Sequence, residues 1–173
     1  MVKYASMFKW YALALAVLIS DQATKLWADS QLSYASPENI FPGFNLTLVY
    51  NPGAAFSFLG DAGGWQRWLF TGLAVAVSIY IIYWIRQLKP NEHTQGLGLG
   101  LILGGAIGNL IDRVLYGHVI DFFDAYYPSQ ECLPFFYSMG GQTCHWPVFN
   151  IADMGISIGA GLLIISVLRT PSS

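Results

Sequence analysis

Four aspartates lie beside or inside the most apolar stretches of this sequence, where a charged side chain is costly. Their segments are DQATK at 21–25, GNLIDR at 108–113, VIDFF at 119–123 and FNIAD at 149–153. An Asp, Lys or Arg in the middle of a membrane costs about 2.5–3.5 kcal/mol on insertion scales, so it is retained where it is paired or faces a polar cavity. These segments are therefore the candidates for chemistry.

Asp121 and Asp153 are the residues that we expect to carry the reaction. Two carboxylates held close together in a poorly hydrated site cannot both ionise easily, so one acts as a base and the other as an acid. Such a pair can activate water for peptide hydrolysis without a metal. Two alternatives stand beside this hypothesis. Asn150 and Asp153 also fit an N-cap and a first-turn acid of a helix, and chemistry alone does not separate Asp124 from Asp121.

The other polar residues of these segments suit pairing and positioning. Asp21 and Lys25 stand four residues apart, so they share a helix face and can form an ion pair. Asn109, Asp112 and Arg113 also share one face of a helix. Asp112 has a structural alternative, which is an internal pair with Arg113 or with Lys25.

Other hydrolytic chemistry has little support in the sequence. The chain contains no HExxH, the motif of zinc proteases, and its one match to the GxSxG motif of serine hydrolases, GISIG at 155–159, lies inside the apolar predicted span 4 and not at a strand-to-helix turn. His93, His118 and His145 form no recognisable ligand set, although His118 and His145 could bind a metal together with the aspartates. We therefore expect no metal and no cofactor.

The elements that must position these residues are transmembrane helices. The chain of 173 residues is 54% hydrophobic and only 10% charged, whereas soluble domains average about 25% charged residues. The net charge of −2 offers no basic surface for nucleic acid. We predict one integral-membrane domain over residues 1–173. Its predicted spans are about 8–28, 68–86, 96–116 and 151–168, and its extracytoplasmic loops are about 29–66 and 117–150.

The distribution of cations orients these spans. Five of the eight Lys and Arg residues lie at or beyond the same ends of the predicted spans, namely Lys3 and Lys9 at the start of span 1, Arg86 and Lys89 at the end of span 2 and after it, and Arg169 after span 4. The positive-inside rule then places both termini in the cytoplasm and the polar clusters near the outer face. A cleaved signal peptide is the alternative for the first span, but Asp21 and Lys25 would be unusual directly after a cleavage site.

The loops and glycines add three expectations. FNLTLVYN at 44–51 alternates like a strand and precedes a turn, so it belongs to a small sheet on the membrane or to an ordinary hairpin. The spacings of Gly100, Gly104 and Gly108 allow helices to approach closely, so spans 3 and 4 should touch. Cys132 and Cys144 lie in the second outer loop, where a disulfide is a reasonable hypothesis.

Five motifs carry a resemblance to a known family. DQATK, YNPGAAF, GGAIGNLIDR, HVIDFF and FNIAD occur in this order, from about residue 12 to residue 168 of the chain, which resembles lipoprotein signal peptidase, the bacterial signal peptidase II family. The resemblance implies a four-span protease of the inner membrane, with a β-cradle and an outer loop over a site near the periplasmic face. It implies diacylglyceryl-modified prolipoprotein substrates, cut just before the lipidated cysteine, and inhibition by globomycin-type antibiotics.

The resemblance also implies roles for individual residues. Asp121 and Asp153 match the catalytic aspartates. The residues that match substrate- or inhibitor-binding positions are Asn51, Gly53, Asn109, Arg113 and Asn150, and those that match supporting polar positions are Asp21, Lys25 and Asp112. One departure is visible, because the stretch between the two aspartates is longer than usual and contains both cysteines. We expect a monomer in contact with membrane lipid.

Two other functions are compatible with a polar membrane protein. A small transporter or proton-coupled channel would use intramembrane acids and bases as a relay, but it needs them across the whole depth of the membrane. Here they gather near one end of the predicted spans, and the other ends are apolar. A scaffold held by glycine packing is the second alternative. Cleavage of a lipid-modified precursor peptide would separate all three.

Overall fold

The structure is a computed structural model, and it describes residues 2–53, 63–139 and 142–169. Most of these residues are helical, and the strands form a small antiparallel sheet. In chain order the elements are α1 (Val2–Gln31), β1 (Glu38–Phe41), β2 (Phe44–Asn51), α2 (Trp65–Gln87), α3 (His93–Leu115), β3 (Val119–Pro128), β4 (Tyr137–Met139), β5 (Thr143–His145) and α4 (Ile151–Arg169).

The chain forms two compact units, each built from separate stretches of sequence. Unit 1 comprises Met1–Gln22, Thr71–Ile111 and Ile151–Ser173, and unit 2 comprises Ala23–Phe70 and Asp112–Asn150. The expectation of a single integral-membrane domain over the whole chain stays a prediction.

Unit 1 is a packed group of helical segments. Its buried core contains Ala14, Ile81, Ile85, Leu99 and Leu103. The predicted contact between α3 and α4 is present, because a Cβ atom added to Gly98 would lie 2.8 Å from the carbonyl oxygen of Gly159. Small residues therefore bring the two backbones together. Gly100 of the predicted spacing instead faces α1, because an added Cβ atom would lie 2.9 Å from the carbonyl oxygen of Trp10, and Gly104 likewise contacts Ala14 and Val17 of α1.

Three helices of the described residues are long and apolar enough to cross a membrane. They are Trp65–Gln87, His93–Leu115 and Ile151–Leu168, and they correspond to the predicted spans 2, 3 and 4. The helix α1 is longer than any of these, at 30 residues, but Asp21 and Lys25 interrupt its apolar sequence. The predicted count of four spans is therefore not confirmed.

Unit 2 contains the five-stranded sheet, whose order is β1-β2-β3-β5-β4. The strand predicted from FNLTLVYN is confirmed as β2. The strands β3, β4 and β5 lie in the segment 117–150, which was predicted to be an extracytoplasmic loop. β3 pairs antiparallel with β2, and a bulge falls between Leu46 and Val49 of β2.

Each face of β3 carries one buried aspartate. Side chains alternate along a strand, so Asp121, Phe123 and Ala125 lie on one face, and Phe122 and Asp124 lie on the other. On β2 the polar residues Asn45 and Thr47 are buried, at 7% and 0% exposure. The sheet therefore has a buried polar face.

An arginine and a glycine close the end of α3 just before β3. Arg67 donates from Nε to the carbonyl of Arg113 at 2.7 Å and from Nη2 to the carbonyl of Val114 at 2.9 Å. These carbonyls lack helical partners, and a cation suits the negative end of the helix dipole. Gly117 follows with a φ of 85°, a left-handed conformation that glycine adopts freely. The chain can therefore turn within four residues from α3 into the strand that carries Asp121.

Candidate functional site

Asp121 is held in unit 2 by two asparagine side chains, one on each carboxylate oxygen. Asn51 donates to Oδ2 at 3.1 Å, and Asn150 donates to Oδ1 at 2.6 Å. The carboxylate is almost fully buried, with 2% exposure. The two amide donors fix the orientation of this carboxylate.

Local backbone structure explains why these two asparagines reach Asp121. Asn51 ends β2, and its Oδ1 accepts a hydrogen bond from the backbone N–H of Gly53 at 3.0 Å, which fixes the turn. Asn150 follows Phe149, whose backbone pairs with Phe123 at 2.8 and 3.0 Å. Both asparagines are thus anchored by main-chain contacts next to the strand β3.

A buried ion pair lies close to the start of β3. Lys25 Nζ is 2.8 Å from Asp112 Oδ2, and both side chains are 1% exposed. The same oxygen of Asp112 accepts from the backbone N–H of Ile120 at 3.2 Å. The sequence left two partners open for Asp112, and the structure gives it Lys25. This pair fixes the backbone directly before Asp121.

Arg113 contacts the turn that follows Asn51. Its Nη2 donates to the carbonyl of Gly53 at 3.0 Å, and its guanidinium lies 5.5 Å from the centre of the Phe70 ring. The rest of the YNPGAAF motif, Ala54 to Phe56, lies outside the described residues.

Asp153 lies in unit 1, in the first turn of α4. Asn109 of α3 donates to its Oδ1 at 2.9 Å. The neighbouring Ala152 donates its backbone N–H at 2.9 Å to Oδ1 of Asp21, which is fully buried. The first N–H groups of a helix have no partner within it. Asp21, on the helix α1, accepts a hydrogen bond from one of these groups at the start of α4.

Sequence reasoning missed Gln22, which supports Asp21. Its Nε2 donates to Asp21 Oδ2 at 3.3 Å and to the carbonyl of Gly108 at 3.2 Å. Its place in DQATK, directly after Asp21, was the available signal. Asp21 and Asp153 are thus tied into one polar group of unit 1 through α4.

Asp121 belongs to unit 2 and Asp153 to unit 1, and the pairing of their carboxylates stays a prediction. The structure therefore shows the partners of each aspartate separately. In both cases an asparagine donates to the carboxylate.

Asp124, the alternative to Asp121, has a different set of partners. Its Oδ2 accepts from Thr47 at 2.8 Å and from Asn45 at 3.1 Å, and its Oδ1 lies 2.6 Å from Nδ1 of His145. The residue is fully buried. Because all three partners lie on the neighbouring strands β2 and β5, Asp124 ties these strands together and is suited to a structural role. Sequence reasoning missed this network, whose members are far apart in the chain.

No three His, Cys, Asp or Glu side chains in the described ranges are placed to hold a metal ion together. His145 contacts Asp124 and, through Nε2, lies 3.0 Å from Thr143 Oγ1. His118 lies beside Tyr50, with ring centres 4.5 Å apart. Burial lowers the pKa of His118, and a hydrogen bond from Tyr50 to Asp29 raises the pKa of that tyrosine.

The segment between β3 and α4 is fastened by a disulfide between Cys132 and Cys144. Leu133 to Phe136 form a turn in which the N–H of Phe136 donates to the carbonyl of Leu133 at 3.1 Å. Phe135 has a φ of 74° in this turn. A bulky side chain in this left-handed region costs about 1–3 kcal/mol.

The comparisons with known proteins agree on one family. A family model for signal peptidase (SPase) II matches residues 13–169. The chain is 43% identical over 168 residues to the lipoprotein signal peptidase of Cellvibrio japonicus (strain Ueda107), with 97% of this chain and 91% of the relative covered. It is 48% identical over 154 residues to the lipoprotein signal peptidase of Hydrogenovibrio crunogenus, with 89% and 81% covered.

Two solved structures have a similar fold. One is described as a bacterial membrane enzyme determined by the in meso method at 2.3 Å; it has a TM-score of 0.75 and 29% identity, and the match covers 93% of this chain and 88% of that one. The other has the same description at 1.9 Å, with a TM-score of 0.76, 28% identity and 94% of each chain covered. The expectation of a peptidase is confirmed, because the chain belongs to the signal peptidase II family, whose members are membrane hydrolases that remove signal peptides from lipoproteins.

Proposed function

We propose that this protein is an aspartyl endopeptidase that cleaves diacylglyceryl-modified prolipoproteins directly before the lipidated cysteine. A water molecule between Asp121 and Asp153 is the nucleophile. The observation that carries the proposal is the hydrogen bonding of Asp121, whose two oxygens accept from Asn51 and Asn150 within a buried site of a signal peptidase II chain.

The chain itself supports the partnership of the two aspartates. Asn150 donates to Asp121, and Asp153 follows Asn150 by three residues. Three residues of chain span at most about 10 Å. The backbone of Asp153 is therefore tethered within about 10 Å of the residue that contacts Asp121. Side chains from both ends of such a tether can bind one water.

The chemistry follows from charge and proton transfer. One aspartate removes a proton from the water, which attacks the scissile carbonyl. The other donates a proton to the oxyanion and then to the leaving amine. Two nearby carboxylates in a poorly hydrated site favour a shared proton, which supplies one acid and one base from two identical side chains.

Backbone contacts prepare each aspartate for this task. Asp112, paired with Lys25, binds the N–H directly before Asp121, and Asp21 binds the N–H directly before Asp153. A catalytic group must be held to within a fraction of an ångström of its productive geometry. Asp21, Lys25 and Asp112 are thus positioning residues that act through the backbone.

Substrate contacts are assigned to the neighbouring polar residues. These are Asn51, Gly53, Asn109, Arg113 and Asn150, which also form the binding site for globomycin-type inhibitors. Arg113 orders the Asn51–Gly53 turn through its bond to the Gly53 carbonyl. The protein acts as a monomer in the bacterial inner membrane, with four spans, both termini in the cytoplasm and the site near the periplasmic face.

A cleavage assay with a pair of precursor peptides tests the proposal. The two peptides share one sequence, and only one carries the diacylglyceryl group on cysteine. We expect cleavage of the modified peptide alone, with the new N-terminus at the lipidated cysteine. Asp121→Asn and Asp153→Asn should each reduce kcat by about 10²–10⁴-fold or more, because general acid–base catalysis contributes this much.

Two further variants make the test specific. Glu131→Gln removes an exposed carboxylate from unit 2 and should leave kcat unchanged. Asp124→Asn removes the alternative acid; it should reduce stability, but kcat of the folded fraction should stay within about three-fold of wild type. Near-normal kcat in Asp121→Asn, or a loss in Asp124→Asn equal to that in Asp121→Asn, would refute the assignment.

A further inference from the structure

The hairpin consists of β4, β5 and the turn at residues 133–136 that leads into β4, and this turn carries exposed apolar side chains. Leu133 is 63% exposed and Phe135 is 73% exposed, whereas Trp146, directly after β5, is 37% exposed. Phe136 packs edge-on against both Tyr127 and Trp146, with ring centres 5.1 and 5.3 Å apart. The exposed residues Leu133 and Phe135 are therefore next to a packed cluster of three aromatic rings.

The backbone of this turn is held in an unfavourable conformation. Pro134 and Phe135 are the central residues of a turn in which Phe136 N–H donates to Leu133 C=O. Proline suits the first central position, but a positive φ at the second favours glycine. Phe135 takes this position with a φ of 74°. A strained position that holds a large exposed apolar residue indicates a use for that side chain.

The hairpin is also fixed firmly to the sheet. The disulfide joins Cys132 to the fully buried Cys144, and Tyr127 Oη accepts from the N–H of Leu133 at 2.8 Å. The backbone N–H of Trp146 donates to the carbonyl of Ala125 at 2.8 Å. The turn at residues 133–136 is thus presented in one geometry, and little order must be gained when it binds.

Connectivity and composition point to lipid as the partner. The segment 117–150 joins two helices that are long and apolar enough to cross a membrane, so it begins and ends at one membrane surface. Trp, Tyr and Phe are favoured at the boundary between headgroups and acyl chains. The segment contains no Lys or Arg, so attraction to anionic lipids cannot drive the contact.

We propose that Leu133 and Phe135 insert into the phospholipid headgroup–acyl boundary of the membrane that the helices cross, with Trp146 at the rim. The disulfide-fastened hairpin is then a membrane contact that is separate from the catalytic residues. It keeps the sheet that carries Asp121 against the bilayer from which a lipid-modified substrate arrives.

The test uses the full chain in phosphatidylcholine vesicles that contain a phosphatidylcholine with a diazirine close to its headgroup. After irradiation, mass spectrometry locates the lipid adducts. We expect adducts on residues 133–136. Adding phosphatidylglycerol should not change their yield, because no basic residue is involved.

Phe135→Gly separates membrane contact from folding. Glycine relieves the positive φ, so the variant should be at least as stable as wild type, while the adduct yield in the hairpin falls roughly five-fold or more. Ala35→Gly is the matched control, because Ala35 also has a positive φ, of 54°, and is exposed without an aromatic ring. The yield of lipid adducts on residues 133–136 in this variant should equal that of wild type.

Three results would overturn the proposal. They are a wild-type hairpin without lipid adducts, adducts that require phosphatidylglycerol, and a Phe135→Gly variant labelled as fully as wild type. Cross-linking of the hairpin to a second protein in place of lipid would assign this surface to a protein partner.

Discussion

The two proposed catalytic aspartates are held by different kinds of structure. In unit 2, Asp121 lies on a strand whose position is fixed by polar contacts, among them the buried Lys25–Asp112 pair. In unit 1, Asp153 lies on α4, which packs against α3 through glycines such as Gly105. The structure around Asp121 therefore depends on a pair of opposite charges, whereas the helix packing around Asp153 depends on residues that have almost no side chain.

This contrast predicts different sensitivities to mutation. Removing one partner of a buried ion pair lowers the stability of the fold, since the other partner remains as an uncompensated buried charge. A helix contact made by glycine fails when volume is added, because interiors are close-packed and backbone atoms cannot move aside cheaply. We expect the largest loss of stability at the ion pair, a smaller loss at the glycine contact and the smallest from the charging of a histidine in unit 2.

The largest effect is expected at the ion pair of unit 2. Asp112→Ala should reduce the free energy of unfolding by about 3–5 kcal/mol, because it leaves the ammonium group of Lys25 buried without a counter-charge. The N–H of Ile120 also loses its acceptor. Thermal unfolding in detergent micelles, followed by circular dichroism, measures the change.

A double variant and a surface control sharpen this test. Lys25→Met combined with Asp112→Leu should be more stable than Asp112→Ala alone, because no charge is left buried. Asp29→Ala removes an exposed carboxylate in the same unit and should cost less than about 1 kcal/mol. Equal losses in Asp112→Ala and Asp29→Ala would show that the buried pair does not stabilise unit 2.

The second effect is expected at the glycine contact of unit 1. A Cβ atom at Gly105 would collide with the carbonyl oxygen of Ala152 and lie 2.9 Å from Ile156 Cγ1. Gly105→Ala should therefore reduce the free energy of unfolding by about 1–3 kcal/mol. It should also lower kcat, because the displaced backbone adjoins Asp153. Unfolding and cleavage assays on the same preparation measure both changes.

Gly161 provides the matched control in the same unit. A Cβ atom at this position meets nothing within 4 Å, and alanine is the better helix former by about 1 kcal/mol. Gly161→Ala should thus leave activity unchanged and stability equal or higher. If Gly105→Ala behaves in the same way, α3 and α4 are not held by close packing at that point.

The sequence predicted the parts of this fold that depend on local pattern. The apolar stretches predicted α2, α3 and α4, and the alternation in FNLTLVYN predicted β2, because both signals lie within one short window. The glycines correctly predicted that α3 and α4 touch, but Gly100 and Gly104 of the predicted spacing pack against α1. The strand β3 was missed because Asp121 and Asp124 interrupt its apolar sequence, and its pairing with β2 joins residues that are far apart in the chain, such as Phe44 with Ala125 and Asn51 with Val119.

The candidate site shows the same limit. The motifs identified Asp121, Asn51 and Asn150, but the bonds among them come from the sheet register. The partner of Asp112 had two candidates, and local spacing could not choose Lys25 from another helix. The three partners of Asp124 became visible only with the register of β2 and β5. Pairs of residues that are distant in sequence require tertiary structure before their chemistry can be assigned.

The smallest effect is expected from pH and concerns His118 in unit 2, close to the start of β3. Its pKa lies below 6.5, mainly because burial disfavours the charged ring, and Arg67 acts in the same direction while Asp112 and Asp29 oppose it. The unfolded chain therefore binds a proton at a higher pH than the folded one. Stability should fall as the pH drops below about 6.5 and level off below the lowered pKa.

The size of this change should be no more than about 0.5–1 kcal/mol, because His118 is partly exposed and solvent screens its charge. His118→Gln should remove this contribution, so that its unfolding midpoint depends less on pH between about 5 and 7 than that of wild type. Asp112 has the largest opposing influence on the pKa of His118, and its pair with Lys25 stays intact in this variant. An identical pH dependence in both proteins would show that charging of His118 does not affect the fold around Asp121.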